Sequence, residues 1–88
     1  MYNITEYSRK QAIKLGVTIK PSGRRNKKID VFKNGKYLAS IGDIRYLDYP
    51  NYIKTKGQEY ADKRRKLYKI RHKYNTGTAG YYASNILW

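Results

Sequence analysis

The side chains with most chemistry to offer in this chain are cations set in rows. Lys20, Arg24, Arg25, Lys27 and Lys28 place five of them in nine positions, around a Gly23 that permits close backbone approach. Phosphates shed their counterions to such a row, which makes the contact favourable and salt-dependent. The stretch therefore reads as an arm able to track a phosphate backbone or reach into a groove, not as an ordinary hairpin-side loop. A second row, Arg65, Lys66, Lys69 and Lys73, shares one side of a helical wheel with Asp62. Lys66, Lys69 and Lys73 are neighbours at i, i+3 and i+7, where like charges destabilise an isolated helix. A purely solvated face would mix signs there, so a phosphate-facing surface is the expected reading of this row too.

Arg64 and Arg71 differ from these. Both lie near the centre of the apolar arc of the same helix, one heptad apart. A guanidinium taken out of water must be paired, and Asp43, Asp48 and Glu59 are the expected structural partners. The alternative is two arginine forks directed into a ligand pocket. Catalytic chemistry finds little to work with. Cysteine is absent and His72 is the single histidine, which argues against Cys-ligated zinc and a His-based metal site. There is no paired-carboxylate motif, no glycine-rich phosphate loop and no nucleophile beside an obvious base. His72, at the end of a basic helix, complements the helix dipole. A nuclease holding a metal on Asp43 and Asp48 is the weaker alternative. No catalytic residue, cofactor, metal or small-molecule substrate is expected.

Composition points the same way. Twenty Lys+Arg stand against six Asp+Glu, a formal net charge of +14 on 88 residues. Self-repulsion on that scale disfavours compaction and exceeds what solubility needs, so the excess answers a polyanion, of which nucleic acid is the commonest. Eleven tyrosines are interleaved with the cations, whereas a disordered basic tail is poor in aromatics. With few aliphatic residues to build from, the tyrosines belong first to the core and its rim; stacking on the bases of a single strand is their functional alternative. Nothing selects particular bases, so little sequence specificity is expected. A chain of this length forms one domain, residues 1–88, that buries only roughly 60–65% of its unfolded surface. No apolar run approaches a membrane span and no signal-peptide core opens the sequence. A soluble protein acting in a reducing compartment is expected.

The rows need elements to position them. Asn3-Ile4-Thr5-Glu6 reads as a capping box, with Asn3 as N-cap of a helix that presents Ile4, Tyr7, Ala12 and Leu15 on one face and stops at Gly16. Val17–Lys20 reads as a short strand ended by Pro21. Asn34-Gly35, between alternating segments, predicts a two-residue type I′ hairpin turn. That register sets Phe32 opposite Tyr37, Val31 opposite Leu38 and Asp30 opposite Ala39, with Ile29, Val31 and Leu38 on one face. Residues 42–52 read as irregular, with Pro50 holding Tyr49 extended. Thr55-Lys56-Gly57-Gln58 reads as a second capping box, opening the longest helix, which runs to about Tyr74 and carries Tyr60, Ala61, Leu67, Tyr68, Ile70 and Tyr74 in its apolar arc. Asn75-Thr76-Gly77-Thr78 breaks it, and Ala79–Trp88 is a short apolar helical turn that folds back, its Leu87-Trp88 end sealing the core. The class is α+β: an N-terminal helix, a three-stranded antiparallel sheet built on the 28–41 hairpin, a long helix packed on it and a C-terminal helical turn.

The segments Asp48-Tyr49-Pro50-Asn51-Tyr52-Ile53, Glu59 to His72 with its "RRKLYKIRH", and Ala79 to Trp88 with "GYY…LW" resemble a family of small basic proteins encoded by large DNA viruses of algae and amoebae and by phages. Thr5 to Ala12 and the hairpin fit the same pattern. The family's biochemical role is uncharacterised, so no site residues carry over. The resemblance implies a viral, virion-associated context, in the particle and the host-cell interior (cytoplasm or virus factory), and with it DNA in preference to RNA. The expected function is non-enzymatic, phosphate-directed nucleic-acid binding that helps package or organise a genome. A minor capsid or cement protein, with basic and tyrosine-rich surfaces against coat-protein subunits, is the alternative. A host-takeover factor mimicking nucleic acid would need a negative surface that this chain lacks.

Overall fold

The computed structural model describes residues 2–73 and 77–88, in the order α1 (Glu6–Leu15), β1 (Thr18–Pro21), β2 (Lys27–Lys33), β3 (Lys36–Asp43), α2 (Tyr49–Lys56), α3 (Gln58–Arg71) and α4 (Thr78–Ile86). The three strands form one antiparallel sheet in the order β1-β2-β3, and the expected α+β class stands. Asn34 and Gly35 take φ of 53° and 78°, the left-handed pair a two-residue hairpin turn requires.

Phe32 faces Tyr37 as the turn dictates, but the pairing then slips by one residue: Val31 stands opposite Ala39, Asp30 opposite Ser40 and Ile29 opposite Ile41. The expected pairs of Val31 with Leu38 and Asp30 with Ala39 are thereby corrected. An unshifted register would carry Ser40 into the core and turn Ile41 out. The bulge reverses both, because one residue of slip exchanges the faces. Ser40 instead donates to Asp30 Oδ1 at 2.6 Å on the polar face.

Ile29, Val31, Ala39 and Ile41 form the sheet's share of the core, and Ile86 and Leu87 close it from the end of α4. The expected sealing by the C-terminal segment is thus observed, though as a nine-residue helix. Packing against β3 comes from α4, whereas α3, expected on the sheet, has its main partner in α2. From α1, Ser8 Oγ donates to the Ile86 carbonyl and Gln11 Nε2 to that of Asn85, both at 2.9 Å, satisfying groups a helix C-terminus leaves orphaned.

Several helix ends differ from expectation. Thr5, not Asn3, caps α1, its hydroxyl accepting from Ser8 N–H at 3.2 Å; the stop at Gly16, with φ 70°, is as expected. Residues 49–52 are not irregular. Asp48 caps α2 by accepting from Asn51 N–H, and Pro50 sits in the first turn, where its missing N–H would have no intrahelical partner anyway. The Thr55 box does not form: Thr55 Oγ1 donates within α2 to the Asn51 carbonyl, and Gly57 joins α2 to α3 without a side-chain cap. In α3 only Ala61 is buried, with Arg64 and Tyr68 half-buried on the same stripe; Leu67 and Ile70 remain 45% and 60% exposed. The inward stripe is narrower than the expected arc because α3 rests on a single helix and the chain end. Tyr74, Asn75 and Thr76 lie outside the described residues.

Candidate nucleic-acid interface

Burial divides the first cationic row. Lys28 is 4% exposed, and its ammonium meets the fully buried Asp48 carboxylate at 3.1 Å. Asp48 also accepts from the Tyr2 hydroxyl and from the Asn51 side-chain amide at 2.8 Å, so a buried charge pair has its remaining lone pairs occupied. Burial, followed by the neighbouring Asp48 carboxylate, raises the Tyr2 hydroxyl well above its usual range. Lys28 therefore belongs to the structure and not to a phosphate-binding surface, which corrects its assignment. Nor is the stretch a free arm. Ser22 N–H donates to the Lys28 carbonyl, Lys27 N–H to that of Arg24, and Asn26 takes φ 65°, closing a tight turn.

The other members of that row are exposed, and two are steadied by rings. Arg24 lies 5.0 Å over Tyr37 and Lys20 5.2 Å over Phe32, within cation–π range. Arg25 and Lys27 project beside them into an open groove lined also by Tyr2, Ile44 and Tyr46.

Arg65, Lys66 and Lys69 on α3, and Lys73 just past its end, are exposed and line one shallow surface; α3 stops at Arg71, short of the expected end near Tyr74. Arg65 stacks 4.6 Å over Tyr49. Asp62, the acid of this face, accepts from Tyr49 and Gln58, and the first of those bonds does most to hold its carboxyl below the usual range. Lys69 is partly committed elsewhere: its ammonium donates to the Ser84 carbonyl at 2.7 Å and to the Ser84 hydroxyl at 2.8 Å. Desolvation there, and then the charge of Arg65, lower its pKa.

The expected ion pairs of Arg64 and Arg71 are absent among the described residues. Asp48 is taken by Lys28, and Asp43 by the fork of Arg45, whose Nη2 lies 2.7 Å from Oδ2. Hydrogen bonds from Arg45 hold the Asp43 carboxyl down at about 2. Glu59 is exposed and makes no ion pair among the described residues. Arg71 is exposed, while Arg64 is half-buried, its guanidinium 5.7 Å over Tyr52 and its Nε buried without a hydrogen-bond partner.

Both arginines line a cavity of about 440 Å³ whose wall includes Lys27, Tyr52, Tyr68, His72 and Trp88. Tyr68 stacks on Trp88 at 4.5 Å and 9°, and His72 tilts against Tyr68 at 4.3 Å. Tyr68 and Trp88 are not among the expected site residues; the available signal is two cations inside an apolar helical arc with no acid three or four residues from either. The cavity also connects the two rows. It shares Lys27 and Tyr46 with the loop groove, and His72 with a recess that contains Lys69 and Lys73. A track of adjoining recesses, each sharing lining residues with the next, thus leads from Arg24 and Arg25 to Lys69 and Lys73.

Among the described residues no group of three or more His, Cys, Asp or Glu is placed to hold a metal ion, and no helix is long and apolar enough to cross a membrane. Compared with protein-family models, with curated proteins and with solved structures, the chain matches none.

Proposed function

We propose that the protein is a non-enzymatic, virion-associated nucleic-acid-binding protein that grips the phosphate backbone with little sequence specificity and helps package or organise a viral genome. The observation that carries the nucleic-acid reading is the track of adjoining recesses lined by Arg24, Arg25, Lys27, Arg71, Lys69 and Lys73, along which Asp43 is already neutralised by Arg45. Point cations on a folded frame suit backbone contact, which positions a protein without reading bases. The viral setting, with DNA as the polymer and the particle and host-cell interior as the location, rests on the resemblance carried by the Glu59–His72 and Ala79–Trp88 segments.

Binding to duplex and single-stranded DNA across a salt series tests this. With about five phosphates neutralised, log K falls against log[salt] with a slope near roughly −4.5 for a duplex. A flat response, or no binding at low salt, overturns the reading. The exposed Ile44, Tyr46 and Leu47, and the exposed Leu67 and Ile70 of α3, favour a second role as a minor capsid or cement protein, since apolar surface serves protein contacts better than phosphates. Binding to purified coat protein that persists at high salt distinguishes it.

A further inference from the structure

We infer that the cavity between α2, α3 and the chain end receives one unpaired nucleotide: a base against the aromatic wall and its phosphate at Arg64 and Arg71. This rests on the nucleic-acid reading and specifies it as a preference for unpaired strand. Three observations converge on the cavity. Arg64 carries a buried Nε–H with no acceptor among the described residues, and a desolvated guanidinium donor is completed by an anion. The charged groups around it are cationic apart from Asp43, which Arg45 has already engaged; Lys28, also in the wall, is held by Asp48. The wall is built of rings in series, Trp88 on Tyr68 and Tyr68 against His72, with Tyr52 at 6.0 Å from Trp88. Such a series is a stacking platform for a base, which every base can use.

At about 440 Å³ the space falls within the usual range of small-ligand sites. A base within a duplex is covered on both faces by its neighbours and reaches such a pocket only after extrusion. The cavity therefore discriminates between paired and unpaired strand, whereas the cations along the rest of the track do not. The same chemistry is offered by a strand and by a free mononucleotide.

Trp88 is the single tryptophan of the chain and stands in the cavity wall, so its fluorescence reports the site directly. The full chain is titrated with a short oligothymidylate, a duplex of equal length, thymidine monophosphate and inorganic phosphate. The inference expects the single strand to change Trp88 emission and bind at least roughly tenfold tighter than the duplex, the scale of one stacked base. Arg64→Gln should remove the emission change and the preference while leaving duplex affinity intact. Should Arg64→Gln fail to fold, Arg71→Gln, at an exposed position, should weaken single-strand binding several-fold more than duplex binding, with an unchanged melting curve; an equal loss for both polymers overturns the inference. An emission change with the mononucleotide supports the free unit as ligand; a change with the oligonucleotide alone supports the strand. Equal affinity for both polymers with silent Trp88 overturns the inference but spares the nucleic-acid reading. Inorganic phosphate acting as strongly as the nucleotide also overturns it, leaving a bare anion site. If neither polymer binds yet the mononucleotide does, the cavity assignment survives and the genome-binding reading falls.

Discussion

Asp48 does two jobs with one carboxylate: it caps α2 and holds the ammonium of Lys28 away from water. Removing one partner of a buried pair costs far more than the pair is worth, because the other charge is left uncompensated. Lys28→Met is therefore expected to destabilise the protein by about 3 kcal/mol, a large fraction of the margin available to a domain of this size. Urea denaturation followed by circular dichroism measures the loss. At urea concentrations where the variant is still folded, its DNA affinity and salt slope should match the parent's, whereas a lysine in the track would lower the slope by about 0.9. The sequence makes this residue look like its neighbours, since Lys27 and Lys28 are the same type in the same run. What separates them is the strand: successive side chains of β2 point to opposite faces, and Asp48 arrives over one of those faces from another element. The same hidden pairing emptied the expected set around Arg64. Once Lys28 and Arg45 have claimed Asp48 and Asp43, the arginine in the apolar arc is left facing a cavity.

At the scale of elements, what was legible was what is locally encoded. The Asn34-Gly35 turn and the left-handed stop at Gly16 both follow from the conformational needs of a few adjacent residues. The bulge between Val31 and Phe32, the partner of α3 and the start of α2 were not, because each depends on a face covered by a distant segment. Gly42 marks where those distant segments meet. It has φ +79°, and a Cβ there would stand 2.6 Å from Leu87 Cδ1 and 2.9 Å from Lys28 Cδ. One neighbour is core and the other belongs to the buried pair, so neither can withdraw freely. Adding the left-handed strain of a non-glycine residue, roughly 1–2 kcal/mol, to overpacking of about 1–3 kcal/mol predicts that Gly42→Ala costs about 2–5 kcal/mol. Gly35→Ala has open space around the new carbon and only the backbone penalty, about 1–2 kcal/mol. Thermal melts of the two variants should therefore rank Gly42→Ala clearly lower. Equal melts would mean that β3 does not lie against the chain end as described.

For the whole molecule the question is whether +14 acts as a total or as a distribution. A diffuse cloud of charge attracts a polyanion wherever the cations sit, so any three neutralisations would weaken binding alike. A track makes them unequal. Arg24, Arg25 and Lys27 line one end of it, and Lys66 and Lys73 belong to the basic face at the other. Lys14, Lys33 and Lys36 are equally exposed but line none of its recesses. The molecule's longest axis is 37 Å, which covers about eleven base pairs at roughly 3.4 Å of rise each, so an oligonucleotide of about a dozen units reaches both ends. Changing Arg24, Arg25 and Lys27 together to Gln should flatten the duplex salt slope by about 2–3, and changing Lys66 and Lys73 by about 1–2, at roughly 0.9 per lost phosphate contact. Neutralising Lys14, Lys33 and Lys36 removes as much charge as the first set and should leave the slope within about 0.5 of the parent's, since those side chains make no phosphate contact. Because the ends share no partner, the losses of the first two sets should add in log K, with one strand bound per protein throughout. Fluorescence anisotropy at several salt concentrations gives slope and stoichiometry together. If all three sets flatten the slope in proportion to the charge removed, the track is not the interface; two strands per protein would make the ends separate sites.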